Sequence, residues 1–83
     1  MITVSVVFRG YFARVVKRKQ LNLSLFQDAC IADLVAQITP LFGTKAALAD
    51  EAFITRDNVK VKVDTVLNDG DRLVFMIPVV GGG

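Results

Sequence analysis

The chain has 83 residues, a formal net charge of +2 at pH 7 and 53% hydrophobic residues, which is enough for one domain with a small, regular core. It contains no histidine and one cysteine, which excludes serine–histidine and cysteine–histidine nucleophiles, histidine/cysteine zinc sites and an internal disulfide. A self-contained enzyme is therefore not expected. Apolar residues are abundant for this size, so some apolar surface should remain exposed and meet a partner.

Targeting signals are not evident in the sequence. No segment approaches the ~18 uninterrupted apolar residues of a membrane span. The start, Met1-Ile2-Thr3-Val4, lacks a basic leader, so we expect no signal peptide. With its lone Cys30, the protein is expected to be cytoplasmic and to have no membrane partner.

Charge is unevenly placed along the chain. Residues 1–27 contain no acid, and all eight acids lie at Asp28 or later. Either the basic residues coat a solvated hairpin tip, or they meet an acidic partner or a phosphate backbone. These residues are Arg9, Arg14, Lys17, Arg18 and Lys19.

The first half of the chain predicts two strands and a helix. Apolar residues alternate over 2–8, which indicates a half-buried strand, and a loop should follow through residues 11–13. A second strand is expected from about Val15 to Leu25. The spacing of apolar residues then changes to that of a helix, which Asp28 would cap and Pro40 would end. Gly43 would end the helical segment as a whole. Its apolar stripe is Ile31, Leu34, Val35, Ile38, Leu41 and Phe42.

The second half predicts short strands joined by turns. Asn68-Asp69-Gly70-Asp71 reads as a reversal whose acids are ordinary turn residues, because no ligand series for calcium surrounds them. Pro78 should stop the last strand by removing a backbone donor. The remaining expectations are a strand over 52–55, a turn at 57–58, a strand over 59–63 and a last strand over 72–77.

This order of elements predicts an α+β fold, the ubiquitin-like β-grasp. One main helix should cover one face of a mixed sheet of four or five strands. We expect residues 1–78 to form the domain and residues 79–83 a flexible glycine tail. In the last strand, Leu73, Phe75 and Ile77 should face one way and Val74 and Met76 the other. One of these sets has no helix to pack against.

The stretch from Leu67 to Gly83 resembles the C-terminal signature of the ThiS/MoaD family of sulfur carriers. The shared features are a leucine, an acid-Gly-Asp turn, an apolar strand, Pro78-Val79 and the glycines Gly81-Gly82-Gly83. Residues 29–35 are also similar to the start of the family's single helix. The length and the element order agree over the whole chain. Pro78 before valine favours the molybdopterin branch over the thiamine thiazole branch, whereas three glycines occur in some thiamine-branch carriers.

The resemblance implies a chemistry carried out by other proteins. An E1-like adenylyltransferase would use ATP to adenylate the C-terminal glycine, and a persulfide protein would supply sulfur to form a thiocarboxylate. The acceptor would be a synthase subunit, either the molybdopterin synthase large subunit or thiazole synthase. The chain itself would bind no cofactor and no metal.

The resemblance also assigns roles to residues. Gly83 would carry the activated carboxyl group, or Gly82 if Gly83 is first trimmed. Gly81, Val80 and Val79 would thread the partner's channel, because glycine has no Cβ to clash. The partner-docking surface is expected to comprise Val74, Phe75, Met76 and Pro78.

Three other interpretations stay open. The chain could be a ubiquitin-like modifier joined to lysine through its glycine, or a binding module that uses the basic hairpin. It could also be a β-grasp scaffold with a frayed tail. Nucleic acid is not expected as a partner. Cys30 lies near the predicted start of the helix. It is interpreted as a small packing residue, and the other interpretation is a role in sulfur handling.

Overall fold

A computed structural model describes residues 1–44 and 52–76 of the chain. The strands are β1 (Ile2–Phe8), β2 (Gln20–Leu25), β3 (Phe53–Arg56), β4 (Val59–Lys60) and β5 (Arg72–Met76). The helices are α1 (Tyr11–Val16) and α2 (Ile31–Ile38).

The strands form one five-stranded mixed sheet in the order β2-β1-β5-β3-β4. β1 pairs antiparallel with β2 and parallel with β5, and β3 pairs antiparallel with both β5 and β4. The last strand in sequence therefore lies at the centre of the sheet. This topology confirms the predicted β-grasp.

One face of the sheet is covered and forms the core. Alternate residues of β1 are buried there, and the predicted stripe of α2 packs on them through Ile31, Leu34 and Ile38. Burial of such apolar faces is the main stabilising term in a domain of this size. The largest fully buried side chains are Phe12, Phe75, Leu25, Ile31, Leu34, Ile38, Leu67, Leu73, Val4 and Val6.

The connection between β1 and β2 was predicted wrongly. Residues 11–13 are not a loop but the start of the six-residue helix α1, and β2 begins at Gln20 rather than near Val15. The cause is Phe12, which is fully buried and packs its ring 5.4 Å from that of Phe42. The basic residues of this region therefore surround a short helix, not a simple hairpin tip.

The start of α2 also differs from the prediction. Asp28 does not cap the helix: it has a φ of +68° in the preceding turn, and Cys30 holds the N-cap position. The carboxylate of Asp33 accepts a hydrogen bond from the Cys30 backbone N–H at 2.9 Å. The α-helix ends at Ile38, before Pro40 as expected, and residues 39–44 continue in tighter 3₁₀ turns.

The predicted strand over 59–63 is shorter in the structure. β4 stops at Lys60, although the Val61 N–H still donates to the Ile54 carbonyl of β3 at 3.0 Å. The residues after Val61 bond to α2 instead of the sheet. The carbonyls of Thr65 and Val63 accept hydrogen bonds from the N–H groups of Ile31 and Ala32, at 3.0 and 2.9 Å. These are first-turn donors that have no partner within a helix.

The turns and other strands agree with the sequence. Asp57 and Asn58 both have positive φ, 54° and 65°, as a two-residue hairpin turn of type I′ requires. β3 begins one residue later than predicted, and β5 is described to Met76. Ile77, where the last strand was expected to end, lies outside the described residues.

Candidate functional site: the central strand and the open face of the sheet

Pro78, which was assigned to the docking surface, and the tail residues lie outside the described part of the chain. The tail residues are Val79, Val80, Gly81, Gly82 and Gly83. The structure does describe the strand that precedes them, β5, and the surface on either side of it.

β5 is held by a neighbour on each side along its length. Val74 lies opposite Val7 of β1 and Thr55 of β3. Near the end, the Arg9 N–H donates to the Phe75 carbonyl at 2.9 Å, and Phe53 lies opposite Met76. The chain thus reaches Met76 from a strand fixed at the centre of the sheet.

The turn before β5 is tied to β1 and β3. The carboxylate of Asp69 accepts from the Thr3 N–H, and the Gly70 N–H donates to the Thr3 carbonyl, both at 2.8 Å. Gly70 has a φ of +88°, where a side chain would be strained.

Asp71 closes the same turn. Its Oδ2 accepts from the Asn68 N–H at 2.8 Å and from an Arg56 guanidinium nitrogen at 2.9 Å. Within residues 1–44 and 52–76 this is the one ion pair. The turn interpretation of Asp69 and Asp71 is therefore confirmed, and both carboxylates are committed to structure.

Side chains along β5 alternate between the two faces as the sequence predicts. Leu73 and Phe75 are fully buried, and the Phe75 ring lies 6.0 Å from Phe8 and 6.4 Å from Phe12. Val74 and Met76 are half-buried on the other face. Including Phe75 in the docking surface was therefore wrong, because a ring inside the core cannot meet a partner.

We define the open face as the sheet surface opposite α2. Its centre is apolar and crosses three neighbouring strands, through Val7, Val74, Met76 and Phe53. The Lys60 ammonium lies 5.2 Å from the centroid of the Phe53 ring, over its face. Among the residues that the structure describes, no helix covers this surface.

A shallow polar pocket borders the apolar centre. Its volume is about 200 Å³, and its lining consists of Arg9, Asp57, Asn58, Arg72 and Val74. Two guanidinium groups therefore stand beside the apolar centre and favour a partner surface that carries carboxylates.

Sequence reasoning did not include Val7, Phe53, Arg9 or Arg72 in the docking surface. Alternation alone places Val7 and Arg9 on the same side of β1, so that signal was present. Their meeting with Phe53 and Arg72 depends on strand order, which the sequence does not contain.

Cys30 takes a structural position. Its half-buried thiol lies 3.3 Å from Asp33 Oδ2, within hydrogen-bond range for sulfur, and the same oxygen accepts the Cys30 backbone N–H. The packing interpretation is favoured by this arrangement.

The described residues contain neither a metal-binding cluster nor a membrane-spanning helix. In neither 1–44 nor 52–76 do three acid, cysteine or histidine side chains group in a way that could hold a metal ion. Over the same ranges, no helix has both the length and the apolar character needed to cross a membrane.

Comparison by sequence finds no matching family model and no matching curated protein. Comparison by structure finds clear neighbours. SAMP1, small archaeal modifier protein 1, from Haloferax volcanii superposes with a TM-score of 0.79 at 18% identity, covering 96% of this chain and 99% of that one.

Two further neighbours come from other sources. A chain of the complex of subunits 1 and 2 of molybdopterin-converting factor from Helicobacter pylori 26695 gives a TM-score of 0.71 at 24% identity, covering 98% of this chain and 100% of that one. Ubiquitin of Caldiarchaeum subterraneum gives 0.66 at 18% identity, covering 98% of each chain. At these identities the likeness establishes the ubiquitin-like fold.

Proposed function

We propose that this protein is a sulfur carrier of the ThiS/MoaD type, which works through a thiocarboxylate on its C-terminal glycine. The observation that supports this most is the position of β5, which runs through the centre of the sheet to Met76. In the sequence this strand leads directly to Pro78-Val79-Val80-Gly81-Gly82-Gly83. Partner enzymes would then bind the folded domain while they act on the C-terminal glycine.

The proposed chemistry takes place on other proteins. A carboxylate is a poor electrophile, so an E1-like adenylyltransferase first joins Gly83 to AMP from ATP and releases pyrophosphate. The terminal sulfur of a persulfide attacks the carbonyl carbon and AMP leaves. A thiolate then breaks the S–S bond, forming a disulfide and leaving the thiocarboxylate on Gly83. The absence of histidine from the chain fits this division of labour.

The open face supplies the binding energy that the tail lacks. Fixing the five residues 79–83 in one conformation costs roughly 5–10 kcal/mol. At about 25 cal/mol per Å², offsetting that cost requires roughly 200–400 Å² of buried apolar surface. Glycines contribute little of it, whereas Val7, Val74, Met76 and Phe53 form a contiguous apolar patch beside the end of β5.

We favour the molybdopterin branch for the acceptor. Pro78-Val79 supports it, and so does the likeness to a chain of the Helicobacter pylori converting-factor complex. The acceptor would then be a counterpart of that complex's other subunit. Thiazole synthase is the acceptor in the alternative branch.

The test is intact-mass analysis of the full chain after incubation with ATP, an E1-like adenylyltransferase and a persulfide donor. We expect the C-terminal peptide to gain the mass difference between sulfur and oxygen. Adding Ala after Gly83 should abolish the gain, because the new terminus no longer fits the activating site. Omitting ATP should abolish it as well.

The outcome separates the hypotheses. An unchanged C-terminal mass with several adenylyltransferases would contradict the carrier proposal. If the shift appears with ATP but Gly83 is absent from the modified peptide, Gly82 carries the thiocarboxylate instead.

A second candidate function is a ubiquitin-like modifier, which the likeness to small archaeal modifier protein 1 favours. It shares the adenylation step and differs in the acceptor, which is a lysine amine. Branched peptides that carry the Gly83 carbonyl on a lysine, recovered from cells, would support this function. Their absence, together with a thiocarboxylate, would favour the carrier alone.

A further inference from the structure

A second concave surface lies away from the open face, between α1 and residues 39–44. Its volume is about 480 Å³, and it is broad and open to solvent. We call it the α1 groove. It is lined by Tyr11, Arg14, Val15, Lys17, Leu41, Phe42, Gly43 and Thr44.

The floor and walls of the α1 groove are largely apolar. Phe42 is only 3% exposed and packs its ring 5.4 Å from that of Phe12, so the floor is rigidly joined to the core. Tyr11 and Leu41 rise beside it and are 43% and 42% exposed. Large apolar side chains left this exposed beside a buried floor suit a bulky apolar side chain from outside.

Among the described residues, the charged side chains that line the α1 groove are both basic. Arg14 and Lys17 are three residues apart, which places them on one side of α1 and its C-cap. No acid lines the groove, and neither cation has an ion-pair partner among residues 1–44 and 52–76. The sequence before Asp28 contains no acid that could neutralise them locally.

The location of the α1 groove leaves both it and the open face accessible at once. α1 packs at the end of the sheet where β5 is last described, through Phe12 against Phe75 at 6.4 Å. It shares no lining residue with the open-face pocket. A molecule in the α1 groove would therefore lie near the end of β5 without blocking the open face.

We propose that the α1 groove docks an acidic segment of a partner protein. A bulky apolar side chain of that segment sits over Phe42 between Tyr11 and Leu41, and flanking carboxylates meet Arg14 and Lys17. Nucleic acid fits less well. Proteins that bind it place an extended row of cations along the phosphate backbone, whereas this groove has two cations beside an apolar floor. The proposal does not depend on the chemistry of the tail.

The test is an NMR titration of the full-length, isotopically labelled protein with a designed peptide. The peptide has a leucine–phenylalanine pair flanked by two glutamates on each side, and its control has glutamines in place of the glutamates. We expect saturable amide shifts at Tyr11, Val15, Leu41 and Thr44, with the control peptide at least about tenfold weaker. Affinity should also fall as NaCl is raised.

Two matched double variants decide the role of the cations. Arg14→Glu with Lys17→Glu should weaken binding about tenfold or more, since both groove cations are reversed. Arg18→Glu with Lys19→Glu makes the same change in net charge on exposed residues outside the groove, and should leave most of the affinity. Thermal unfolding of both variants verifies that they are folded.

Three results would overturn the proposal: equal weakening by both double variants, shifts confined to the open face, or a single-stranded RNA oligonucleotide that binds the groove more tightly than the peptide. Leu41→Ser tests the apolar contact without changing any charge. If the affinity for the peptide is unchanged, the apolar part of the proposal is wrong as well. A variant without Gly82 and Gly83 should bind the peptide normally while failing in sulfur transfer. The two proposals can therefore fail separately.

Discussion

The two faces of the same sheet have opposite roles, and β5 shows the contrast within adjacent residues. Leu73 and Phe75 are fully buried in the core, whereas Val74 and Met76 are half-buried on the open face. All four are apolar, so hydrophobicity alone does not distinguish them. Packing of the helices buries one set in the core and leaves the other accessible to solvent.

This contrast explains how so small a chain can carry a high apolar content. Its core uses one side of each central strand, and the opposite side carries apolar residues that α2 does not reach. A partly accessible apolar patch flanked by arginines is typical of a protein-binding surface. Substitutions on the two faces should therefore affect different measurements.

The largest expected effect comes from the covered face. Phe75→Ala removes a ring that packs between Phe8 and Phe12, and should cost about 3–5 kcal/mol of unfolding free energy. Its matched control is Met76→Ala, the next residue on the open face, which should cost under about 1.5 kcal/mol. Urea denaturation measures both.

If Phe75→Ala proves too unstable to purify, Phe75→Leu keeps most of the volume and should show the same order at a smaller cost. Equal losses at positions 75 and 76 would contradict the contrast between the faces.

An intermediate effect is expected at the turn that leads into β5. Asp71→Ala leaves the Arg56 guanidinium and the Asn68 N–H without their carboxylate, and should cost about 1.5–3 kcal/mol. Asp64→Ala, at an exposed position where φ is not positive, serves as the control and should cost under about 1 kcal/mol. Thermal unfolding monitored by circular dichroism gives the comparison. Similar losses would mean that the carboxylate of Asp71 has no special structural role.

The smallest effect on stability, but a clear one on activation, is expected at the centre of the open face. Val74→Ala should cost about 1 kcal/mol or less in unfolding free energy, because the side chain is half-buried. With the activating enzyme, the KM for this protein should rise about fivefold while kcat changes little, since the contact is made equally in the bound and transition states. Rates of pyrophosphate release measure both constants.

Gln37→Ala is the control for Val74→Ala, because it replaces an exposed residue of α2, which lies on the opposite side of the sheet from the open face. If both variants bind the activating enzyme as the native protein does, docking does not use the open face.

Sequence patterns were most reliable where one period covers a whole element. Alternation in β1, the stripe of α2 from Ile31 to Ile38 and the Asn68–Asp71 turn agree with the structure. Each of these is a local property, set by side-chain direction or by the φ that a glycine permits. The prediction that placed Leu41 on the same stripe is wrong: this residue lies beyond the end of α2 and is 42% exposed.

The missed helix α1 had a weaker signal. Phe12, Val15 and Val16 follow the spacing of a helix face, yet six residues give too few turns to distinguish it from a loop. Its formation depends on Phe12 packing against Phe42 and Phe75, which are distant in sequence. Such contacts determine the structure of short segments because isolated helices of this length are not stable.

β4, in contrast, was predicted too long rather than missed. Val59, Val61 and Val63 alternate as in a strand, but the carbonyls of residues 63 and 65 are needed by the first N–H groups of α2. That requirement arises only after the helix is in place, so alternation overestimates the strand.

The identity of the fold and the direction of each β5 side chain were readable from the chain, because periods of two and 3.6 residues record which side of an element is apolar. The resemblance at the C-terminal glycines added a chemical hypothesis of the same local kind. Which apolar residues remain available to a partner was decided by the tertiary structure: Phe75 is buried, and strand order brings Val7 and Phe53 beside Val74 and Met76. Packing likewise formed the α1 groove, because it brings residues 11–17 against residues 41–44, which β2 and α2 separate in the sequence. Contacts between distant parts of a chain depend on chain topology and close packing, which no local pattern encodes.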